Sequence, residues 1–179
     1  MRDTGMNKIS IYCARGMTGR PKSEVVKEAK QQASWLRNAG FDVLCPVEVE
    51  QIKDERGSIL ATYNEIKNFW RRDKQMIRDS HVVFHMTPHM RSDGAWHEIG
   101  YKRYHLQGPV VHIYPTGQLP PPSAVSYLED DYVCDSLEEA IEFVLRVHGT
   151  WFKRMKWRLQ KMNKCLIKSA FYQLQEFIK

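Results

Sequence analysis

The sequence predicts an α/β domain with a five-stranded parallel sheet and helices on both faces, followed by an amphipathic helix at the C-terminus. Three observations predict it. Short runs rich in β-branched and aromatic residues recur at residues 8–13, 41–45, 81–86, 109–114 and 131–134. Segments with apolar residues at helical spacing separate most of these runs. The chain has 179 residues, 42% hydrophobic and 27% charged, which suits one domain with a full core. Strands that alternate with helices pair in parallel and have both faces of their sheet covered.

The first strand, Lys-Ile-Ser-Ile-Tyr-Cys, alternates and ends with Tyr12 and Cys13. A loop with two glycines and two arginines follows, Ala14-Arg15-Gly16-Met17-Thr18-Gly19-Arg20-Pro21. Such a loop offers backbone N–H groups and guanidinium forks to a phosphate. It lacks the Gly-Lys-Ser/Thr of a P-loop and the Gly-x-Gly-x-x-Gly of a dinucleotide fold, so an ordinary strand-to-helix turn stands beside the phosphate reading. Residues 21–38 read as a helix with Val25, Ala29, Ala33 and Leu36 on one face, stopped by Gly40. The second strand ends at Pro46, and the charged, aperiodic residues 46–58 read as an exposed loop. Residues 59–79 form the next helix. It carries Asp73, for which a surface ion pair with Arg72 or Lys74 is the plain reading.

The third strand leads into a polar turn, Thr87-Pro88-His89. Ser92-Asp93-Gly94 then opens a helix that places Glu98 in roughly its first turn. Ligands of open α/β sheets bind at the carboxyl ends of the strands, and a helix N-terminus favours an ionised carboxylate. A carboxylate held there can attack a sugar carbon, although a lone Glu is more often a solvated helix residue. Gly108 ends this helix, and residues 109–114 make the fourth strand. Residues 115–123 hold four prolines and a glycine and read as a stiff loop. A short fifth strand and a helix over 137–147, with Leu137, Ile141 and Val144 inward, complete the body. His85 and His89 lie four apart and His97 adjoins Glu98, but no zinc-ligand spacing appears and no metal is expected. The four cysteines form no Cys-x-x-Cys pair, and three sit in or beside apolar runs, as buried thiols of a reducing, cytoplasmic compartment would. The polar start and the lack of a long apolar run argue against a secretory signal or a membrane span.

The charge is uneven. Residues 149–179 hold eight of the 27 Lys and Arg and one of the 21 Asp and Glu. This tail therefore carries +7 of the net +6, and the body, residues 1–148, carries −1. Apolar residues of the tail fall at three-four spacing with one phase slip, from Phe152 to Phe177, opposite a face of Lys and Arg. Such a helix can pack on protein, lie on an anionic membrane or hold nucleic acid.

Together these pieces resemble the nucleoside 2-deoxyribosyltransferase superfamily, which includes nucleotide N-glycosidases. The resemblance runs over residues 8–147. The first strand with Tyr12 resembles the family's opening strand. Gly16-Met17-Thr18-Gly19 resembles the glycine-containing loop of one branch. Asp73 stands where the family has a second carboxylate, and Ser92-x-Gly-x-x-x-Glu98-Ile-Gly-Tyr resembles the motif around its catalytic glutamate. The resemblance implies the flavodoxin-like strand order 2-1-3-4-5. Members often have glycine where this chain has Trp96, which bears on the base pocket. Deoxyribosyltransferases proper commonly have Asp where this chain has Ser92, and in having Ser it resembles the relatives that hydrolyse nucleoside 5′-monophosphates. Asp would repel a phosphate, whereas Ser can donate a hydrogen bond to it.

The resemblance thus implies hydrolysis of the N-glycosidic bond of a nucleoside 5′-monophosphate. Glu98 would attack the anomeric carbon, Asp73 would protonate the departing base, and Tyr12 would orient Glu98. Arg15, Gly16, Met17, Arg20, Ser92, Asp93 and Gly94 would hold the substrate, with neither metal nor organic cofactor. Transfer of the sugar to a second base is the close variant. A non-catalytic nucleotide-binding or adaptor protein is the competing class, motivated by Trp96 and the basic tail. Relatives often form dimers or larger assemblies, so a homo-oligomer is implied, and the tail is expected to help build it, with a membrane surface as the other candidate. Deleting residues 150–179 is expected to shift the protein to a smaller species in light scattering. A mass per particle reduced only by the deleted residues, with full-length protein sedimenting on anionic liposomes, would favour the membrane instead.

Overall fold

Ile9, Ile11 and Cys13 alternate with Ser10, Tyr12 and Ala14, and all six are buried. A strand enclosed on both faces belongs in the middle of a parallel sheet, and β1 (Ser10–Ala14) does so. In the computed structural model, which describes residues 8–16, 20–49, 63–87, 92–114 and 132–148 (side chains of 63–66 excepted), β1 pairs in parallel with β2 (Asp42–Leu44) and β3 (Val82–His85). β4 (Val110–Ile113) and β5 (Tyr132–Cys134) extend the sheet beyond β3, again in parallel. The order is β2-β1-β3-β4-β5, as expected.

The helix α1 (Lys22–Asn38) buries Val25, Ala29, Ala33 and Leu36, the stripe that the spacing predicts. Gly40, at φ 96°, takes the left-handed conformation that a glycine tolerates, and the Phe41 N–H turns back to Leu36 O at 3.2 Å. The expected exposed loop after β2 begins instead as a short helix, α2 (Pro46–Val49). Pro46 suits a first helical position, and it is buried together with Val47. The Arg37 guanidinium donates to Glu48 Oε1 at 2.9 Å and holds α2 against α1. The remainder of that stretch, 50–58, lies outside the described residues.

α3 (Tyr63–Asp79) precedes β3, and α4 (Asp93–Gly100) follows it. Right-handed crossovers put α3 and α4 on the sheet face opposite α1. On that face Tyr12 and Ala14 of β1, Val83 of β3 and Val110 of β4 form one cluster with Ile77 of α3 and Ile99 of α4. α4 runs on into a π-helical turn, Tyr101–His105. Its Lys102 is buried, and its ammonium donates to Ser80 O at 2.6 Å and Ile77 O at 3.4 Å. A cation suits the carbonyl end of α3, although burial lowers the Lys102 pKa.

α5 (Leu137–His148) closes the described chain, with Leu137, Ala140 and Ile141 buried. Two units divide the molecule, Met1–Ile141 and Glu142–Lys179. Of the second, Glu142–His148 is described, where the Arg146 guanidinium lies 5.7 Å over the Phe143 ring. The basic tail, 149–179, lies outside the described residues. No described helix is long and apolar enough to cross a membrane. Cys13, Cys45 and Cys134 are free and buried, and burial pushes their thiols up, that of Cys134 to about 12.

Gly108 packs on the Lys102 stem. Its N–H donates to Lys102 O at 3.1 Å, and a Cβ there would stand 2.4 Å from Lys102 Cε. The stem cannot swing aside without releasing the carbonyls of α3. Gly108→Ala is therefore expected to destabilise the fold by about 1–3 kcal/mol, as overpacking does. Urea unfolding checks this, and the loss should shrink in a Lys102→Met background.

Candidate functional site

The strand order turns round between β1 and β3. β1 continues through α1 to β2 on one side, whereas the chain after β3 moves to β4 on the other. The chain therefore leaves β1 and β3 towards opposite sides, and a switch point of this kind is where open α/β sheets bind ligands. Gly16 and Thr87 meet across it: the Gly16 N–H donates to Thr87 Oγ1 at 2.8 Å. Thr87 is 2% exposed, so this bond satisfies a backbone donor that water does not reach.

Ser92 is the N-cap of α4. It is extended at φ −153°, and its Oγ accepts from the Ala95 N–H at 3.4 Å. Capping uses an acceptor site of the hydroxyl and leaves its O–H able to donate. Asp93 and Gly94, the first two helical residues, are exposed. A Cβ on Gly94 would meet nothing closer than Ser92 Oγ at 4.0 Å. Glu98 falls in the second turn of α4 and not the first, because the helix begins at Asp93. The residue is half-buried, and its Oε2 is enclosed. Trp96 and Ile99, on either side of it in sequence, pack on the cluster that contains Tyr12. Tyr12 itself is fully buried, its phenol oxygen included.

Asp73 departs most from its plain reading. It does pair with Arg72, whose Nε and Nη2 reach Oδ1 at 3.1 and 2.8 Å. Yet the residue is 7% exposed, so this is not a surface ion pair. Trp70 and Ile77, three residues before it and four after it, both belong to the Tyr12 cluster. Helical geometry puts all three on one face. Asp73 thus occupies the buried stripe of α3, where an amphipathic helix ordinarily carries an apolar residue. Burial raises its carboxyl pKa above the usual range, and the Arg72 guanidinium offsets only part of that. A carboxyl that holds its proton to higher pH is suited to donate it.

α3 and α4 pack on each other and on β1, so the elements bearing Asp73, Glu98 and Tyr12 meet. The arginines behave differently. Arg15 is 5% exposed and directs its guanidinium to Glu28 at 3.4 Å and to Gln32, both on α1. Arg20 reaches the same Glu28 oxygen at 2.7 Å. Both are engaged with α1 in this structure. Met17 lies outside the described residues. Sequence reasoning also missed Lys102 and Thr87, whose partners lie 22 and 71 residues away. Among the described residues no three His, Cys, Asp or Glu cluster as metal ligands would.

No family model and no curated protein matches this sequence. Solved structures do. A 2-deoxyribosyltransferase from Bacillus psychrosaccharolyticus aligns at TM-score 0.55 and 21% identity over 74% of this chain and 90% of its own. The fold is that of a 2-deoxyribosyltransferase. A conserved protein from Enterococcus faecalis V583 aligns at TM-score 0.56 and 17% identity over 78% of this chain and 99% of its own. The shared part is nearly the whole of each of those chains, so the deoxyribosyltransferase fold accounts for the body of this one.

The position of Asp73 carries a stability consequence. Its raised pKa means that the folded state binds a proton that the unfolded state has released, in the window between the two values. Folding stability from this group therefore falls as pH rises through that window, and above it the buried carboxylate is a cost. Asp73→Asn keeps an oxygen for Arg72 and removes the charge. At pH 7 it is expected to melt at or above the wild-type temperature, with the difference vanishing at pH below the ordinary carboxylate range. A lower melting temperature at pH 7 would show that the charge is stabilising where it stands.

Proposed function

We propose that this protein hydrolyses the N-glycosidic bond of a nucleoside 5′-monophosphate, with Glu98 as nucleophile and Asp73 as proton donor. The observation that carries the reading is the buried carboxyl of Asp73 on α3, a helix packed beside the one that bears Glu98. Two carboxyl groups in unlike environments divide the roles of acid and nucleophile. The deoxyribosyltransferase fold and the half-buried Glu98 near the strand ends agree with it.

In the first step a Glu98 carboxylate oxygen bonds to the anomeric carbon as the bond from that carbon to the base nitrogen breaks. The electron pair leaves with the base, and Asp73 delivers a proton to it, directly or through water. Water then attacks the anomeric carbon of the glycosyl ester, Glu98 leaves as carboxylate, and the proton from water returns to Asp73. The products are free base and sugar phosphate. Tyr12, enclosed between β1 and the two helices, limits the positions that Glu98 can take. Ser92 offers its O–H to the phosphate, and the exposed N–H groups of Asp93 and Gly94 at the start of α4 add a favourable end for an anion. Gly16, tied to Thr87, keeps the facing loop in place. Arg20 supplies positive charge at the rim, with Arg15 fixing the same loop from beneath through Glu28.

Incubation with a panel of deoxynucleoside and ribonucleoside monophosphates, followed by chromatography of the free base, tests the proposal. Monophosphates are expected to lose their base without an acceptor present, and Glu98→Gln to reduce turnover by several orders of magnitude at an unchanged melting temperature. Base release from nucleosides alone, and only with an acceptor base, would establish transfer instead. Full activity in a folded Glu98→Gln protein would remove Glu98 from the chemistry.

A further inference from the structure

His85 and His112 are fully buried, like Tyr12. They stand directly opposite each other on β3 and β4. Their Nδ1 atoms are 3.1 Å apart. Two such nitrogens form a hydrogen bond only when one carries a proton and the other does not. A neutral pair therefore has opposite tautomers, Nδ1–H on one ring and Nε2–H on the other. The same sheet face carries Val83 and Val110 one row earlier, so apolar residues suit these positions for packing alone. The histidines add direction. Ala14, the neighbour of His85 on β1, is small and is the last residue of its strand.

Trp96 covers the pair. Its indole meets the His85 ring edge-on, with centroids 4.9 Å apart and planes at 82°, and lies over His112 at 5.8 Å and 31°. Edge-to-face contact between polarised rings fixes an orientation that a valine would not. The indole is only partly buried. It stands two residues before Glu98, above the last sheet row before β1 and β3 end. We propose that Trp96 is a specificity-determining residue, one wall of the pocket for the planar base, and that the His85–His112 pair is the positioning element that sets its orientation. This rests on the N-glycosidase reading for its substrate, and on the ring geometry for its position.

The test compares dGMP with dCMP as a purine and a pyrimidine substrate. His112→Leu removes the hydrogen bond, whereas His112→Asn places an amide within reach of His85 Nδ1. His112→Leu is expected to change the purine-to-pyrimidine ratio of kcat/KM by about tenfold, mostly through KM, as the loss of pocket shape does. His112→Asn should restore most of the ratio. A ratio equal in wild type and His112→Leu overturns the proposal, even if the melting temperature falls, because a merely structural pair would give that result. Should His112→Leu not fold, Trp96→Leu serves in its place, and an unchanged ratio there overturns the proposal equally. In ¹⁵N spectra of the wild type, His85 and His112 should show opposite tautomers, and like tautomers would remove the positioning pair. Tryptophan fluorescence separates the wall from the chemistry. If the wild type releases no base, yet dGMP quenches its emission and Trp96→Phe abolishes the quench, the N-glycosidase reading fails and the wall stands. If neither nucleotide changes the emission, the wall fails.

Discussion

A parallel sheet covered on both faces leaves little room for polar groups except where its strands stop. In this protein its strands stop at a boundary between β1 and β3 where the order β2-β1-β3-β4-β5 turns round. One strand sends the chain towards β2 and the other towards β4. The Gly16–Thr87 hydrogen bond joins the two loops at their roots. Without it a buried backbone donor would go unsatisfied.

Against this frame, the choice of residue at position 73 runs contrary to packing. An apolar side chain would complete the inner stripe of α3 beside Trp70 and Ile77. The carboxyl there is desolvated, and Arg72 reaches only its Oδ1. Burial there raises the proton affinity of the carboxyl at a cost to packing. The His85–His112 pair shows a milder form of the same conflict. There the two polar groups satisfy each other at 3.1 Å, so the interior gains orientation without a buried charge.

The loop after β1 solves a different problem. Arg15 is buried, and a buried guanidinium calls for an opposite charge, which Glu28 on α1 provides. Arg20 shares the same carboxylate oxygen from a position 22% exposed. Two guanidinium groups on one carboxylate leave an excess of one positive charge in this group. Arg15 and Arg20, on either side of residues 17–19, are thus both tied to α1.

Periodicity and composition alone determined the strands, the main helices and their order, because the period of two in β1 and the three-four stripe of α1 follow directly from backbone geometry. Right-handed crossovers then leave few sheet topologies open, and the ordered motifs from Tyr12 to Glu98 were legible in the sequence. Pro46 and Val47 were not, since a short buried turn of helix has no period to display. Nor was the state of Asp73. The sequence offers Arg72 beside it and suggests an exposed pair, while its enclosure comes from packing with β1 and α4. His112 shares the period-two phase of Val110, so its inward side was legible, but its partner lies 27 residues earlier. Which polar groups are desolvated, and with whom they pair, depends on contacts between distant segments, and only the tertiary structure decides those.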